Sequence, residues 1–285
     1  MQYPAINRRM FIQLAAAGCA TALAVDGFWL EPDRPRVVRQ EIALRRWPPH
    51  LDGFTIALLS DFHYDAIFSV HPIRAAIDIV NGLRPDLIAL AGDFVSEPSF
   101  GPAARGARQA EPCAQLLRKL EAPHGSWAIM GNHDASTDPG RVTGALRDVG
   151  IQVLLNQSVP IERNGGRFWL GGVNDAVEAK ADLAGTLQNI PSSEATVLLV
   201  HEPDYADFVA RHPVDLQLSG HSHGGQIRLP LVPMFYLPEL AKKYIWGLYK
   251  IRELTLYTNP GLGTIGIPAR LNCPPEITLL TMRHS

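Results

Sequence analysis

Five short apolar runs, each ending abruptly in polar residues, organise the chain. Phe54-Thr55-Ile56-Ala57-Leu58-Leu59-Ser60 stops at Asp61, and Leu87-Ile88-Ala89-Leu90-Ala91 stops at Gly92-Asp93. Trp127-Ala128-Ile129-Met130 runs into Gly131-Asn132-His133-Asp134, Thr196–Val200 into His201, and Leu216-Gln217-Leu218 into Ser219-Gly220-His221-Ser222-His223-Gly224-Gly225-Gln226. Runs this short and this continuous are the signature of strands covered on both faces. Between the first two, Ile73, Ala76, Ile77 and Val80 recur at helical spacing, which predicts a helix over 71–83 closed by Gly82 and Pro85. Helical patterns separating buried strands indicate an α/β architecture. In such sheets ligands sit beyond the carboxyl ends of the strands, so the polar clusters should meet on one rim. Residues 159–172 read as a hairpin around Asn164-Gly165-Gly166. Ser96 to Pro112 lacks periodicity and reads as a mobile loop near that rim. No repeats, low-complexity blocks or clear linker break the chain.

The N-terminus follows a different plan. Arg8-Arg9 precedes an apolar run to Leu30, with Ala22-Leu23-Ala24 as an A-x-A site, the layout of a signal peptide. The arginine pair resembles a twin-arginine export signal, which implies the twin-arginine translocase as a partner and loading of metal before export. Periplasmic, envelope or membrane-anchored placement follows. The run also approaches the ~20 residues needed to span a bilayer, so a retained anchor is the alternative; an amphipathic first helix is a third reading. Ala16-Ala17-Gly18-Cys19 is a poor lipobox, lacking the usual leading Leu. The expected organisation is a signal or anchor over 1–24, a charged, proline-rich lead-in over 25–52, and one domain over 53–285.

Charge and cysteine content narrow the function. A net charge of -2 offers no general attraction to nucleic acid or anionic lipid. Cys19, Cys113 and Cys273 form neither a disulfide framework nor a zinc knuckle; Cys113 and Cys273 could pair in an oxidising compartment, but two buried free thiols is the preferred reading. Residues 231–252 are apolar and aromatic with Lys242, Lys243, Lys250 and Arg252 interleaved. They read as a cap packed into the core with snorkelling lysines rather than as a membrane-facing, acyl-holding rim, because prolines interrupt any long helix.

The strand-end residues carry the chemistry. Asp61, His63, Asp93, Asn132, His201, His221 and His223 are imidazole and carboxylate-type ligands suited to zinc, manganese or iron. Seven exceed one tetrahedral ion and suit two divalent metals sharing a carboxylate. Singly, Asp61, Asp93 and Asn132 could be turn formers or helix caps, and His201 a core histidine; together they point to a site. His50, His71, His124, His212 and His284 have no such context. The two histidines of Gly220-His221-Ser222-His223, two apart in near-extended chain, should point the same way, with Ser222 facing away and the glycines letting backbone pass close to metal.

Asp61-Phe62-His63, Gly92-Asp93, Gly131-Asn132-His133-Asp134, His201 and Gly220-His221-Ser222-His223 are similar, in order, to the five blocks of the calcineurin-like metallophosphoesterases. The wider match, about Glu31 to Thr281, resembles the exported or membrane-associated bacterial branch. Asp52-Gly53, His201-Glu202-Pro203-Asp204, Gly261-Leu262-Gly263, Arg270 and Pro275-Glu276-Ile277 carry it. That branch includes hydrolases of UDP-2,3-diacylglucosamine in lipid A synthesis. The resemblance implies a four-layer α-β-β-α sandwich of two mixed sheets with the dinuclear site at strand carboxyl ends. It implies Asp61, His63 and His223 on one metal, Asn132, His201 and His221 on the other, and Asp93 bridging. It implies a hydroxide held between the metals as nucleophile, and His133 as the group that stabilises phosphoryl oxygens and protonates the leaving alkoxide. One departure stands out: Ser96 occupies the position where protein phosphatases carry an aspartate that orients the catalytic histidine, which argues against a protein phosphatase and leaves Asp134 either to orient His133 or to support the site from behind. The expected activity is a phosphodiesterase acting on a small phosphodiester or pyrophosphate, lipid- or nucleotide-linked, with peripheral membrane contact. The alternative is a non-catalytic metal-binding envelope protein on the same scaffold. A nuclease is disfavoured by the absence of a concentrated basic patch.

Overall fold

A computed structural model describes residues 7–98, 100–234 and 237–285. Two six-stranded mixed sheets stack face to face. In the first, β1 (Arg36–Leu44), β12 (Glu276–His284), β2 (Thr55–Leu59), β3 (Leu87–Leu90), β4 (Ser126–Ala128) and β5 (Gln152–Val153) lie side by side in that order. β2 to β5 are parallel, β12 runs antiparallel to β2, and β1 is parallel to β12. The second sheet is ordered β10 (Gly247–Ile251), β11 (Leu254–Thr258), β9 (Leu216–Ser219), β8 (Thr196–Leu199), β7 (Gly166–Gly172) and β6 (Gln157–Arg163). Its four middle strands are parallel and both edges antiparallel.

The continuous apolar runs have two faces to fill. Ile56, Leu58, Leu87 and Ala89 of the first sheet meet Val197, Leu199, Leu216 and Leu218 of the second in the central core. Ala57, Leu59, Ile88 and Leu90 point outward onto α2 (Val70–Leu83), α3 (Ala110–Leu117) and α5 (Pro139–Asp148). Leu198 and Leu256 point outward from the second sheet onto α6 (Leu183–Leu187) and α7 (Ala206–Val209). The result is the expected α-β-β-α sandwich. α2 spans the predicted positions with Ile73, Ala76, Ile77 and Val80 buried, and ends at Arg84 in a left-handed conformation ahead of Pro85. The hairpin forms at Asn164-Gly165, both with positive φ, as a two-residue turn between right-twisted strands requires.

Two segments differ from their sequence reading. Within the stretch expected as a lead-in, β1 pairs along all nine residues with β12, Trp47 and Leu51 are buried, and Arg46 bonds Asp215 at 2.8 Å. Ala103–Gln109 in the expected loop forms a tight helical turn leading into α3. At the N-terminus, α1 (Arg8–Val25) has no buried residue and continues through a wider turn at Asp26–Leu30. Cys113 and Cys273 are buried and unpaired.

Trp47 tests the seating of the lead-in. Its ring packs on Phe168 at 4.7 Å between centroids and on Phe54 at 6.2 Å, and its Nε1–H donates to Leu51 O at 2.9 Å. Trp47→Ala is expected to cost about 3–5 kcal/mol in urea unfolding. An unchanged midpoint would contradict this placement.

Candidate metal centre

The carboxyl ends of β2, β3, β4, β8 and β9 converge, and the residues just beyond them form one polar cluster. Asp61, His63, Asp93, His201, His221 and His223 are all buried, while Asn132 and His133 stand half-buried at the start of α4 (Asn132–Thr137). Asp61, His63, Asp93, His221 and His223 have φ between 41° and 69°, in the left-handed region. Each such residue costs about 1–2 kcal/mol, and the cluster of them marks a functional site rather than a chance turn. Close backbone packing enforces these conformations. Asp61 N–H donates to Gly92 O and His63 N–H to Asp93 O, both at 3.0 Å, so the first two strand ends are laced together. Gly92 has φ +94°, and a Cβ there would sit 2.6 Å from Gly131 N and 2.9 Å from the His201 ring. A Cβ on Gly220 would strike Ser60 and the Asp61 carboxylate. This glycine therefore makes room for a ligand-type side chain.

Among the described residues three groups of donor atoms result, each with candidate atoms within 4.8 Å of one another: Asp61, His63 and His223 form one, Asp93, His201 and His221 another, and His63, Asp93 and His133 a third that overlaps both. Asp93 Oδ2 lies between the first two, 3.4 Å from His63 Nε2 and 3.2 Å from His201 Nε2. Nε2 of His63 faces Nε2 of His223 at 3.0 Å, and the latter is 3.3 Å from Asp61 Oδ1. Hydrogen bonds at the back of the rings fix which nitrogens face inward, because a carbonyl can only accept. His201 Nδ1–H donates to Ala91 O at 2.6 Å, which leaves its Nε2 facing Asp93. His221 Nε2–H donates to Glu239 O at 2.8 Å, which leaves Nδ1. Asn132 Oδ1 and His201 Nε2 are buried without hydrogen-bond partners. Unpartnered, inward-facing lone pairs on hard and borderline donors are what a divalent cation requires, so these residues fit a metal pair.

Electrostatics agree for three of the four imidazoles; burial opposes the charge on His201, but Asp93 and Asp61 hold it well above its usual range, so a metal would displace a proton there. Burial pushes His63 down to about 3 and His221 down to about 4, and burial with the neighbouring His63 takes His223 well below the usual range. All three are neutral ligands at pH 7. Burial opposes the charge on Asp93, but His201, His133 and His63 hold its carboxyl well below the usual range. Burial pushes Asp61 up to about 6, with His201 opposing and Asp93 adding to the rise.

Side chains behind the site complete it. Ser96 Oγ bonds His63 Nδ1 at 2.8 Å, so this serine orients a ligand-type histidine rather than His133. Asp134 does not reach the His133 ring; its carboxylate accepts from Phe94, Val95 and Gly131 N–H at 2.9–3.1 Å and staples two strand ends. His133 Nδ1 accepts from Glu97 N–H at 3.3 Å, and its own N–H donates to Asp93 Oδ1 at 3.0 Å. The chain at His221–His223 is turned, not extended as its spacing suggested, and the left-handed φ values of the two histidines are what aim both rings inward. Ser222 does face away, but its Oγ donates to Ile245 O and accepts from Gly224 N–H, a structural role the sequence did not reveal.

Four further residues had no role assigned from the sequence. Asp204 accepts N–H bonds from Lys242, Lys243 and Tyr244, which pins the segment carrying Glu239 behind His221. Arg270, fully buried, donates to the carbonyls of Pro260, Gly263 and Cys273 and holds their loop on Asp61, where Gly263 N–H donates to Asp61 O at 2.7 Å. Glu202 and Asp175 form a buried carboxyl pair beside His201, with burial and Asp175 pushing Glu202 well above its usual range. Glu202, Asp204 and Arg270 stood in the sequence only as marks of the resemblance and Asp175 not at all, because their roles rest on contacts that spacing does not show.

A cavity of about 780 Å³ opens over the cluster. Its floor is Asp93, Asn132, His133, His221 and His223; its far wall is Ile227, Leu229, Pro238, Ile265 and Ile267. Within the 231–252 segment, Phe235 and Tyr236 lie outside the described residues. Of the rest, Tyr244 is buried, Lys243 pairs with Asp207, Pro238 lines the cavity and Leu231 is exposed.

The calcineurin-like phosphoesterase family model matches residues 54–225, which hold all five ligand-bearing strand ends. The chain belongs to this family. A metallophosphoesterase of Bacillus subtilis, YkuE, is 33% identical over 289 residues, covering 98% of this chain and 99% of its own length. Phosphodiesterase YaeI of Escherichia coli is 34% identical, covering 97% and 99%. A Danio rerio transmembrane protein with a metallophosphoesterase domain is 31% identical, covering 99% of this chain and 65% of that one. As a calcineurin-like phosphoesterase with these relatives, the chain is a metal-dependent phosphoric ester hydrolase.

Asp61 yields a pH prediction. With its carboxyl raised from 3.8 to about 6, metal-free protein holds a proton there below that pH, and the cation must displace it. Mn²⁺ affinity of chelator-stripped protein, followed by calorimetry, should fall more steeply below about pH 6 than above it, by about a further tenfold per unit. A slope that does not steepen below about pH 6 would show that the metal displaces no proton from Asp61.

Proposed function

We propose that the protein is a dinuclear-metal phosphodiesterase that hydrolyses a phosphodiester or pyrophosphate carried on a lipid. Asp61, His63 and His223 would hold one metal and Asn132, His201 and His221 the other, with Asp93 shared. The observation that carries the reading is the cavity itself, a metal-ready polar floor facing an aliphatic wall. When bound, the metal pair supplies the Lewis acidity that activates water and neutralises phosphoryl oxygens. The chain's own groups do the rest. Asp93 accepts from the His133 backbone and fixes the histidine at the cavity edge. Because His133 Nδ1 accepts from Glu97 N–H, the ring presents Nε2–H at the cavity edge as a hydrogen-bond donor that would stabilise a phosphoryl or leaving oxygen. Ile227, Leu229, Ile265 and Ile267 exclude water and favour a hydrocarbon portion of the substrate over a second charged group. Among the described lining residues there is no Lys or Arg, which speaks against polyphosphates and nucleic acid.

The preferred substrates to try are lipid phosphodiesters and UDP-diacylglucosamine, the latter suggested by the branch the motifs resemble. The N-terminal apolar helix and the transmembrane-named Danio rerio relative support a membrane-anchored or exported protein, with the arginine pair as its translocation signal.

Hydrolysis of bis(p-nitrophenyl) phosphate with Mn²⁺ tests the chemistry. Chelation and Asp93→Asn should each abolish activity, Asp93→Asn with loss of bound metal. His133→Asn should lower kcat about 10²–10⁴-fold while metal content, measured by plasma mass spectrometry, is retained. Activity that persists under chelation would sink the reading.

A further inference from the structure

The surface around the end of α1 carries information about where the enzyme works. Arg8–Leu30 is a 23-residue helix, long and apolar enough to cross a bilayer, and only 6% of its apolar window is buried against the protein. Its far end is fixed in place. Gly27 O accepts from Arg270 N–H at 2.8 Å, and the Glu31 carboxylate accepts from the N–H groups of Asn272 and Cys273. The loop from Gly261 to Cys273 is therefore the seat of the helix. That same loop faces two cavities. Leu262 and Pro268 line a groove of about 240 Å³ in which Phe28 and Trp29 meet Ile67 and Phe68. Ile265 and Ile267, between them in sequence, form part of the wall of the metal cavity. One loop thus separates the helix exit from the mouth of the site.

The rim around this loop is apolar and open. Trp29 is 66% exposed, Ile67 70%, Phe68 50% and Ile267 53%. Single exposed apolar residues are ordinary, but Trp29, Ile67 and Phe68 line one groove at the exit of an exposed apolar helix, and Ile267 adjoins Pro268 on its lip, a grouping that calls for an occupant. A tryptophan at the end of a spanning helix belongs at headgroup level.

We propose that this rim docks on a lipid bilayer: α1 lies in the membrane, and Trp29, Ile67, Phe68 and Ile267 enter the headgroup and upper acyl region around its exit. The mouth of the metal cavity then opens onto the membrane plane, and a lipid-borne phosphodiester reaches the site without leaving the bilayer. The purpose given to the face rests on the proposed substrate class; the docking itself rests on the surface. The bilayer is favoured over a second copy or another protein because the patch is continuous with a helix whose only apolar partner would be lipid.

The test uses the full-length chain in phosphatidylcholine–phosphatidylglycerol vesicles, labelled with an environment-sensitive nitrobenzoxadiazole probe. Native Cys19, exposed on α1, reports whether the helix is embedded. In a Cys19→Ser background, Ile67→Cys and Ile267→Cys place the probe on the rim, and Glu253→Cys places it in the β10–β11 turn at the opposite end of the sheet; Cys113 and Cys273 are buried. Rim probes lying about 5–10 Å into the interface should shift to the blue and be quenched by brominated acyl chains, with the probe at position 253 unaffected. Rim probes that stay in water while the Cys19 probe is quenched would overturn the docking face. So would an unquenched Cys19 probe, or a rim shift that depends on protein concentration without lipid, which would mark a second copy as the occupant. Hydrolysis of soluble bis(p-nitrophenyl) phosphate, read in parallel, keeps a failure of the catalytic reading separate from a failure of docking.

Discussion

Nε2 of His63 and Nε2 of His223 face each other at 3.0 Å, with carboxylate oxygens of Asp61 and Asp93 at 3.3–3.4 Å, in a buried space. Two imidazoles kept neutral by burial share a hydrogen bond across such a gap only when one presents Nε2–H and the other its Nε2 lone pair, and the carboxylates beside them lose most of their hydration. A divalent cation removes the conflict by turning every inward lone pair into a ligand. Much of the surrounding structure serves to keep these groups from moving apart. Five of the seven proposed ligands sit in left-handed backbone, at about 1–2 kcal/mol apiece. Asp134 staples the β3 and β4 ends with three N–H bonds, and Arg270 holds the loop that rests on Asp61.

The site exists only when the two sheets are stacked. Asp61, His63, Asp93 and Asn132 follow strands of the first sheet; His201, His221 and His223 follow strands of the second. Bonds cross between them at the cluster, where His201 Nδ1–H donates to Ala91 O and His221 N–H to the Asp61 carboxylate, between β11 and β12, where Tyr257 Oη–H donates to Glu276, and at the far end, where Arg46 pairs with Asp215 and Arg163 with Asp86. Binding free energy at a site that the unfolded chain lacks becomes folding free energy. A metal pair held by these residues would therefore act where the polar ends of the sandwich meet, while the central core of Ile56, Leu58, Val197 and Leu199 holds the remainder.

How much of this was legible follows from where the information lies. The central parallel strands were readable because a strand covered on both faces must be apolar at every position, and Leu87–Leu90 or Thr196–Leu199 can be little else. The residues that follow them were readable because seven ligand-type side chains at five strand ends form a pattern no single turn produces. β1 was not readable. Arg36–Leu44 is half-exposed with charged residues at Arg36, Arg39 and Glu41, and its partner β12 lies about 240 positions away, so nothing local marks the pairing. Ser96 was read only as a departure from a pattern; its contact with His63 depends on how the loop after Asp93 turns back. The extended geometry expected at His221–His223 failed for a related reason, since periodicity describes regular strands and not the turn that follows one.

The last residue of the motif at the end of β9 shows why floor and wall of the cavity cannot vary independently. Gln226 follows His223 and the two glycines, in left-handed backbone itself. Its side-chain amide donates to the carbonyls of Ile265 and Ile267 and accepts from Ile265 N–H, while its backbone carbonyl accepts from Leu271 N–H. The apolar wall is thereby hung from the same short segment that carries two proposed metal ligands. Recognition of a phosphate by a metal pair is indifferent to what the phosphate is attached to, so discrimination among substrates falls to the wall. On the proposed lipid substrate, changing Ile265 or Ile267 would alter which hydrocarbon the cavity accepts and leave the proposed ligands in place. Changing Gln226 releases the wall from the metal clamp, and with it the register between where a phosphoester is bound and where its apolar portion must lie.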